Sequence, residues 1–191
     1  MIDSYPLSFD GMTELKELGA KYTASTNATN PQGGGSRDIS VIVDGVKLYG
    51  SDTQQYDTYR ATLTDSLGKK QNTEWYAVQF EKDYSVTHVV FWEGGHWADG
   101  GWFGDTPTVQ VMVNKKWVDV SYTLTPNYPG DSQKEQNPGN EAYAFILDKP
   151  VMCTAVRVLG KRNSASGGHT SCAEIEVYGM RAEDVPSDYT C

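Results

Sequence analysis

At 191 residues the chain is long enough for one domain with its own apolar core, and its formal net charge of −9 and pI near 4.7 make it strongly acidic. That charge argues against nucleic acid and anionic membranes as partners, since both are held through a surplus of Lys and Arg. No apolar run is long enough to cross a bilayer.

Nineteen glycines, twelve tyrosines and five tryptophans point to strands and turns. Met1–Asp10 lacks the basic-then-apolar order of a signal peptide, which suits a module excised from a longer chain. Ser8–Leu18 is the single helical candidate, with a Ser or an Asp to cap a short amphipathic turn. Asn27-Ala28-Thr29 has the form of a glycosylation sequon, a triplet that also arises by chance. A glycine-rich stretch, Gln32–Ser36, and a polar, tyrosine-rich one, Gly50–Tyr59, precede the first strong strand.

The strand signals then follow in order. Thr73–Phe80 places Tyr76, Val78 and Phe80 on one face, and Val86–Trp92, Thr108–Val113, Trp117–Tyr122, Ala142–Leu147, Cys153–Gly160 and Cys172–Gly179 complete the set. Asn114-Lys115-Lys116 marks a tight hairpin. Short connections make the strands mostly antiparallel, which predicts an all-β sandwich or jelly roll. A lead-in over residues 1–20, a module over 21–180 and the start of a linker over 181–191 are the expected divisions. The long loops Gly94–Thr106 and Asn127–Asn140 are where a rigid sandwich collects binding residues.

The three cysteines are expected as thiols. If Cys153–Gly160 and Cys172–Gly179 pair as a hairpin, with Val156 opposite Val177, the two sulfurs lie on the order of 25 Å apart, beyond any disulfide. Cys191 is left without an intramodular partner.

The order of Val43-Asp44-Gly45, WYAVQF with SVTHVVFW, PTVQVMVNKKWVDV, CTAVRVLG and the closing CAEIEVYG resembles the discoidin-like domains. These are the coagulation-factor C-type domains and the family 32 carbohydrate-binding modules of bacterial glycoside hydrolases. The resemblance spans roughly Lys21 to Gly179. It implies an eight-stranded jelly roll, a structural calcium, and a sugar site on the loops of one end, carried by a module without catalysis of its own. The same fold also hosts lipid and protein binders, so an adhesion domain is the alternative.

For the calcium, the resemblance implies Asp44 of the DG motif and Glu174 of the closing AE motif, two carboxylates suited to an ion that takes six to eight oxygens. The Asp or Asn and the Thr that usually follow the DG motif are displaced here, and Asp52 and Thr53 are the replacements. For the ligand, Glu93–Asp105 (EGGHWADGGWFGD) places Trp97, Trp102 and Phe103 off the strand alternation that core aromatics follow. An indole stacks on the apolar face of a pyranose while Glu93 and His96 take hydroxyls. At least one of these aromatics is expected to plug the end of the sandwich instead. Similar galactose-binding modules carry an Arg, often with an Asn, in this loop, and this chain does not. Arg162 and Asn163 of Lys161–Ser171 are the substitutes, and His169 stands where relatives place a stacking ring. Tyr49 and Tyr56 add tyrosines from the DG loop, and Tyr128 is a remoter candidate. No GxSxG, no Cys motif and no placed pair of carboxyls speaks for an enzyme. The expected partners are a glycan and the other domains of the same polypeptide.

Overall fold

The computed structural model describes residues 13–47, 54–132 and 141–187. Its strands are, in chain order, β1 (Thr13–Glu14), β2 (Tyr22–Thr26), β3 (Ala28–Thr29), β4 (Tyr56–Asp57), β5 (Thr62–Leu63), β6 (Thr73–Glu93), β7 (Gly100–Gly101), β8 (Thr108–Val113), β9 (Lys116–Asp119), β10 (Tyr122–Thr125), β11 (Ala142–Lys161) and β12 (His169–Arg181).

Two long strands form the spine. Val86–Trp92 and Thr73–Phe80 are one continuous strand, because Glu81, Lys82 and Asp83 keep the extended backbone while facing solvent. Ala142–Leu147 and Cys153–Gly160 likewise merge into β11, which lies antiparallel to β6 from Ala142↔Trp92 to Lys161↔Thr73. Register shifts between Ile146/Val151 and Cys153/Ala155 bend this ladder from one layer of the sandwich into the other. Each half then recruits its own neighbours. β2 pairs with β6 at Tyr22↔Phe80, and β8 with β11 at Val156↔Val111, giving the layer β2–β6–β11–β8–β9. β10 pairs with β11 at Tyr122↔Leu147 and β12 with β6 at Ile175↔Phe91, giving the layer β10–β11–β6–β12, edged by β1 and β4. The expected jelly-roll sandwich is the fold of this chain. Tyr76, Val78, Val156 and Val158 from one layer meet Phe91, Phe145, Ile175 and Val177 from the other, all fully buried.

Asn114 and Lys115 have φ of 51° and 62°, the pair of left-handed residues that a two-residue hairpin needs, and they close β8 onto β9 at Val113↔Lys116. Trp117–Tyr122 is split, since β9 and β10 belong to different layers. The helical candidate is, from Thr13 onward, β1 followed by a 3-10 turn over Leu15–Leu18, and residues 8–12 lie outside those described. The Glu14 carboxylate caps that turn by accepting from Lys16 N, and Gly19 at φ 89° ends it. Because β1 pairs with Tyr178 and Gly179 and Leu15 is fully buried, this part of the lead-in is built into the sandwich.

The expected Cys153–Gly160 and Cys172–Gly179 hairpin is not present, because β6 lies between the two strands. Cys153 sits opposite Tyr84 and Cys172 opposite Glu93. Both are free and buried, and burial pushes the Cys153 thiol up to about 12. Asn27 of the sequon is buried, its Nδ2 donating to Thr73 O at 2.8 Å and its Oδ1 accepting from Trp75 N, so its amide serves the fold. Among the described residues no helix is long and apolar enough to cross a membrane.

Candidate functional site

At one end of the sandwich the 93–105 loop and the 161–171 loop are stitched into one unit. The chain leaves β6 at Glu93, turns tightly between Trp97 and Gly100 (N–H to O at 2.8 and 3.1 Å), and lays β7 parallel to His169–Thr170. Gly100 and Gly101 have φ of 144° and 128°. A Cβ on Gly101 would stand 2.4 Å from Gly95 O, so only glycine allows this approach. Asn163 Nδ2 donates to Trp102 O and to His169 O, both at 2.6 Å, and Gly104 N donates to Lys161 O.

This stitching turns most of the expected ligand residues inward. Phe103 is a correction: it is fully buried against Tyr76, Phe91 and Tyr128, plugging the end of the core, and presents nothing to a ligand. Glu93 is also fully buried. Its carboxylate accepts from Tyr128 O–H and is 3.0 Å from His96 Nε2. Burial raises the Glu93 pKa against the pull of His96. Burial opposes charging His96, yet Glu93 outweighs it and the imidazole pKa rises. Trp102 is buried beside His96 with ring centroids 5.4 Å apart, and neither Trp102 Nε1 nor His96 Nδ1 has a protein partner among the described residues. Ligating atoms of Glu93, His96 and Glu141 lie within 4.8 Å of one another.

Arg162 is tied down, Nε donating to Glu74 Oε1 at 2.7 Å and Nη2 to Ala61 O at 3.0 Å. Asn163 is buried in its stitching role. Tyr56 is packed edge-on to Tyr76 inside the core, and Tyr128 serves Glu93 and Phe103 N.

Three rings remain as a row that reaches the surface. The imidazole of His169, itself buried, lies 5.8 Å from the half-buried Trp97 indole and 5.1 Å, edge-on, from the half-buried Tyr59 ring. Burial keeps the His169 pKa low, so the ring is neutral at pH 7. The exposed Arg60 guanidinium stands 5.2 Å from the Tyr59 ring. Tyr59 and Arg60 were not singled out from the sequence beyond the tyrosine-rich stretch that ends there. The signal was a Tyr-Arg pair at a loop tip, where Arg60 takes φ 54°. Arg60 thus places a guanidinium beside this row from a third loop.

The Asp44–Glu174 corner has a different occupant. Lys16 Nζ donates to Glu174 Oε1 at 2.7 Å and to Val43 O at 2.7 Å, and lies 5.2 Å from the Tyr22 ring. Glu174 Oε2 accepts from Gly45 N at 3.1 Å, and the exposed Asp44 accepts from Val46 N at 2.8 Å. Burial lifts the Glu174 pKa to about 7, with Lys16 pulling against it. Calcium wants six to eight oxygens free of other cations. Here the buried carboxylate serves an ammonium and an N–H. Asp52, Thr53 and Tyr49 lie outside the described residues.

No protein-family profile matches the chain, and no curated protein does. Solved structures do match in fold. The family 32 carbohydrate-binding module of Clostridium perfringens NanJ in complex with galactose is 16% identical, with 87% of this chain and 98% of that one covered at a TM-score of 0.54. A C. perfringens module, CpGH89CBM32-5, in complex with GalNAc-β-1,3-galactose is 12% identical, with 86% and 99% covered at 0.54. A structure from the Streptococcus pneumoniae β-galactosidase BgaA is 12% identical, with 83% and 96% covered at 0.60. The chain has the discoidin-like fold of these modules.

Proposed function

We propose that this protein is a non-catalytic carbohydrate-binding module that holds a neutral glycan against its loop end, as one part of a longer extracellular polypeptide. The observation that carries this is the ring row Trp97–His169–Tyr59 with Arg60 beside it, set on loops locked to one another. A half-exposed indole and phenol offer apolar faces to a pyranose, and a guanidinium offers forked donors to its hydroxyls. The galactose and GalNAc ligands of the structural neighbours support a sugar of that class. We read the Asp44–Glu174 corner as closed by the Lys16 ammonium in place of calcium. The adhesion alternative recognises a protein or a lipid surface, and its lipid version would bind through apolar spikes. Among the described residues the large exposed hydrophobics are Leu67, Val118 and Met152, none of them in these loops.

The test is a glycan array on the wild type and on Trp97→Ala and Tyr59→Ala. Loss of signal in both variants at unchanged melting temperature is the expected result. Wild-type signal in both sinks the loop-end site.

A further inference from the structure

The outer face of the β2–β6–β11–β8–β9 layer holds a groove of about 690 Å³, within the ~300–1,000 Å³ of small-ligand sites. Strand alternation builds it. Tyr76, Val78, Val156 and Val158 turn into the core, so Trp75, Arg157 and Leu159 turn outward, with Leu159 opposite Trp75. Trp117 joins them from β9, opposite Met112. The Arg157 guanidinium lies 4.4 Å from the Trp117 ring centroid and 5.7 Å from that of Trp75, and its Nε donates to Gln110 Oε1 at 2.8 Å. Gln110 in turn donates to Asp119 at 2.8 Å. Both indoles are half-buried and are held by this cross-strand lattice, so little rotamer freedom remains to be lost on binding.

The facing wall is the turn closed by the Thr64↔Lys70 bridge. Asp65 accepts there from Leu67 N and Lys69 N at 2.9 Å and from Gln71 Nε2 at 3.1 Å. Thr26, Thr29, Thr64, Ser66 and Thr73 are among the lining residues.

We propose that this groove is a second glycan site, separate from the loop end, which takes a segment of a neutral polysaccharide. The inference rests on the reading of the protein as a carbohydrate-binding module. Indoles beside a rim of hydroxyls match the alternation of C–H faces and ring hydroxyls on a sugar chain. The lining residues carry one formal positive charge, Arg157, and one negative, Asp65, so its net charge is zero, which suits a neutral chain better than an anionic or cationic one.

Native gels cast with galactan, xylan, mixed-linkage β-glucan or gastric mucin read both sites by retardation. Wild type, Trp97→Ala, Trp117→Ala and Arg157→Met are run together, with melting temperatures alongside. The expected result is retardation of the wild type in at least one polysaccharide. Trp117→Ala should weaken it at least about tenfold, the equivalent of ~1.4 kcal/mol, while Trp97→Ala keeps the groove's share. Arg157→Met, which frees both indoles from their lattice, should weaken it as well and decides the matter if Trp117→Ala melts early. Retardation of both groove variants equal to wild type, with Trp97→Ala alone impaired, overturns the groove and leaves the module reading intact. No retardation of the wild type in any of the four gels overturns both.

Discussion

Replacing Lys16 by Met removes the ammonium and keeps an apolar stem of similar length. Glu174 is then a carboxylate with side-chain exposure of 1%, left with one N–H and no cation, whereas the Lys16 side chain is 30% exposed. Breaking a fully buried pair costs about 3–5 kcal/mol, and an exposed pair contributes about 0–1 kcal/mol. The half-open side of this pair puts the loss at about 2 kcal/mol. For a domain of this size that lowers the melting temperature by about 4–8 °C. The wild type, stripped with chelator, should melt at the same temperature with and without calcium. In Lys16→Met the Val43 carbonyl and Glu174 Oε1 lose their ammonium, so calcium should recover part of that loss, the more so the further it exceeds its Kd. Scanning calorimetry of both proteins, with chelator and with calcium, measures all four values. A calcium-dependent rise in the stripped wild type, or a variant that melts with it, refutes the assignment of the corner to Lys16.

The same carboxyl makes stability depend on pH. Its folded pKa of about 7 lies above the ordinary 4.5, so the folded state holds this proton more tightly. Its contribution is full below pH 4.5 and is lost as pH rises through 7. Denaturant midpoints for Glu174→Gln should therefore fall less between pH 5 and pH 8 than those of the wild type. Phe103→Ala removes a fully buried ring from the plug of the core and should cost about 3–5 kcal/mol. An unchanged chemical-denaturation midpoint would return Phe103 to the surface. Thiol labelling in the native state should leave Cys153 and Cys172 unmodified, and denaturation should expose both as free thiols. A peptide carrying a Cys153–Cys172 crosslink would contradict the placement of β6 between them.

Strand content was legible because alternation is local. Tyr76, Val78 and Phe80 face inward wherever Thr73–Phe80 is placed, and Asn114-Lys115 turns β8 back whatever surrounds it. The fold class followed from the same reading. Partnership across the sandwich did not. The alternation of Val156 and Val158 is equally content beside β12 or beside β6, and only the need to fill both layers puts β6 there. A loop aromatic gives no sign of whether glycines will fold it inward, so Trp97 and Phe103 look alike in sequence and differ in the structure. Lys16 lies 158 residues from Glu174, in the lead-in, and no pattern of spacing joins them. Their meeting is decided by β1 pairing on the edge of β12, which carries the ammonium over the carboxylate.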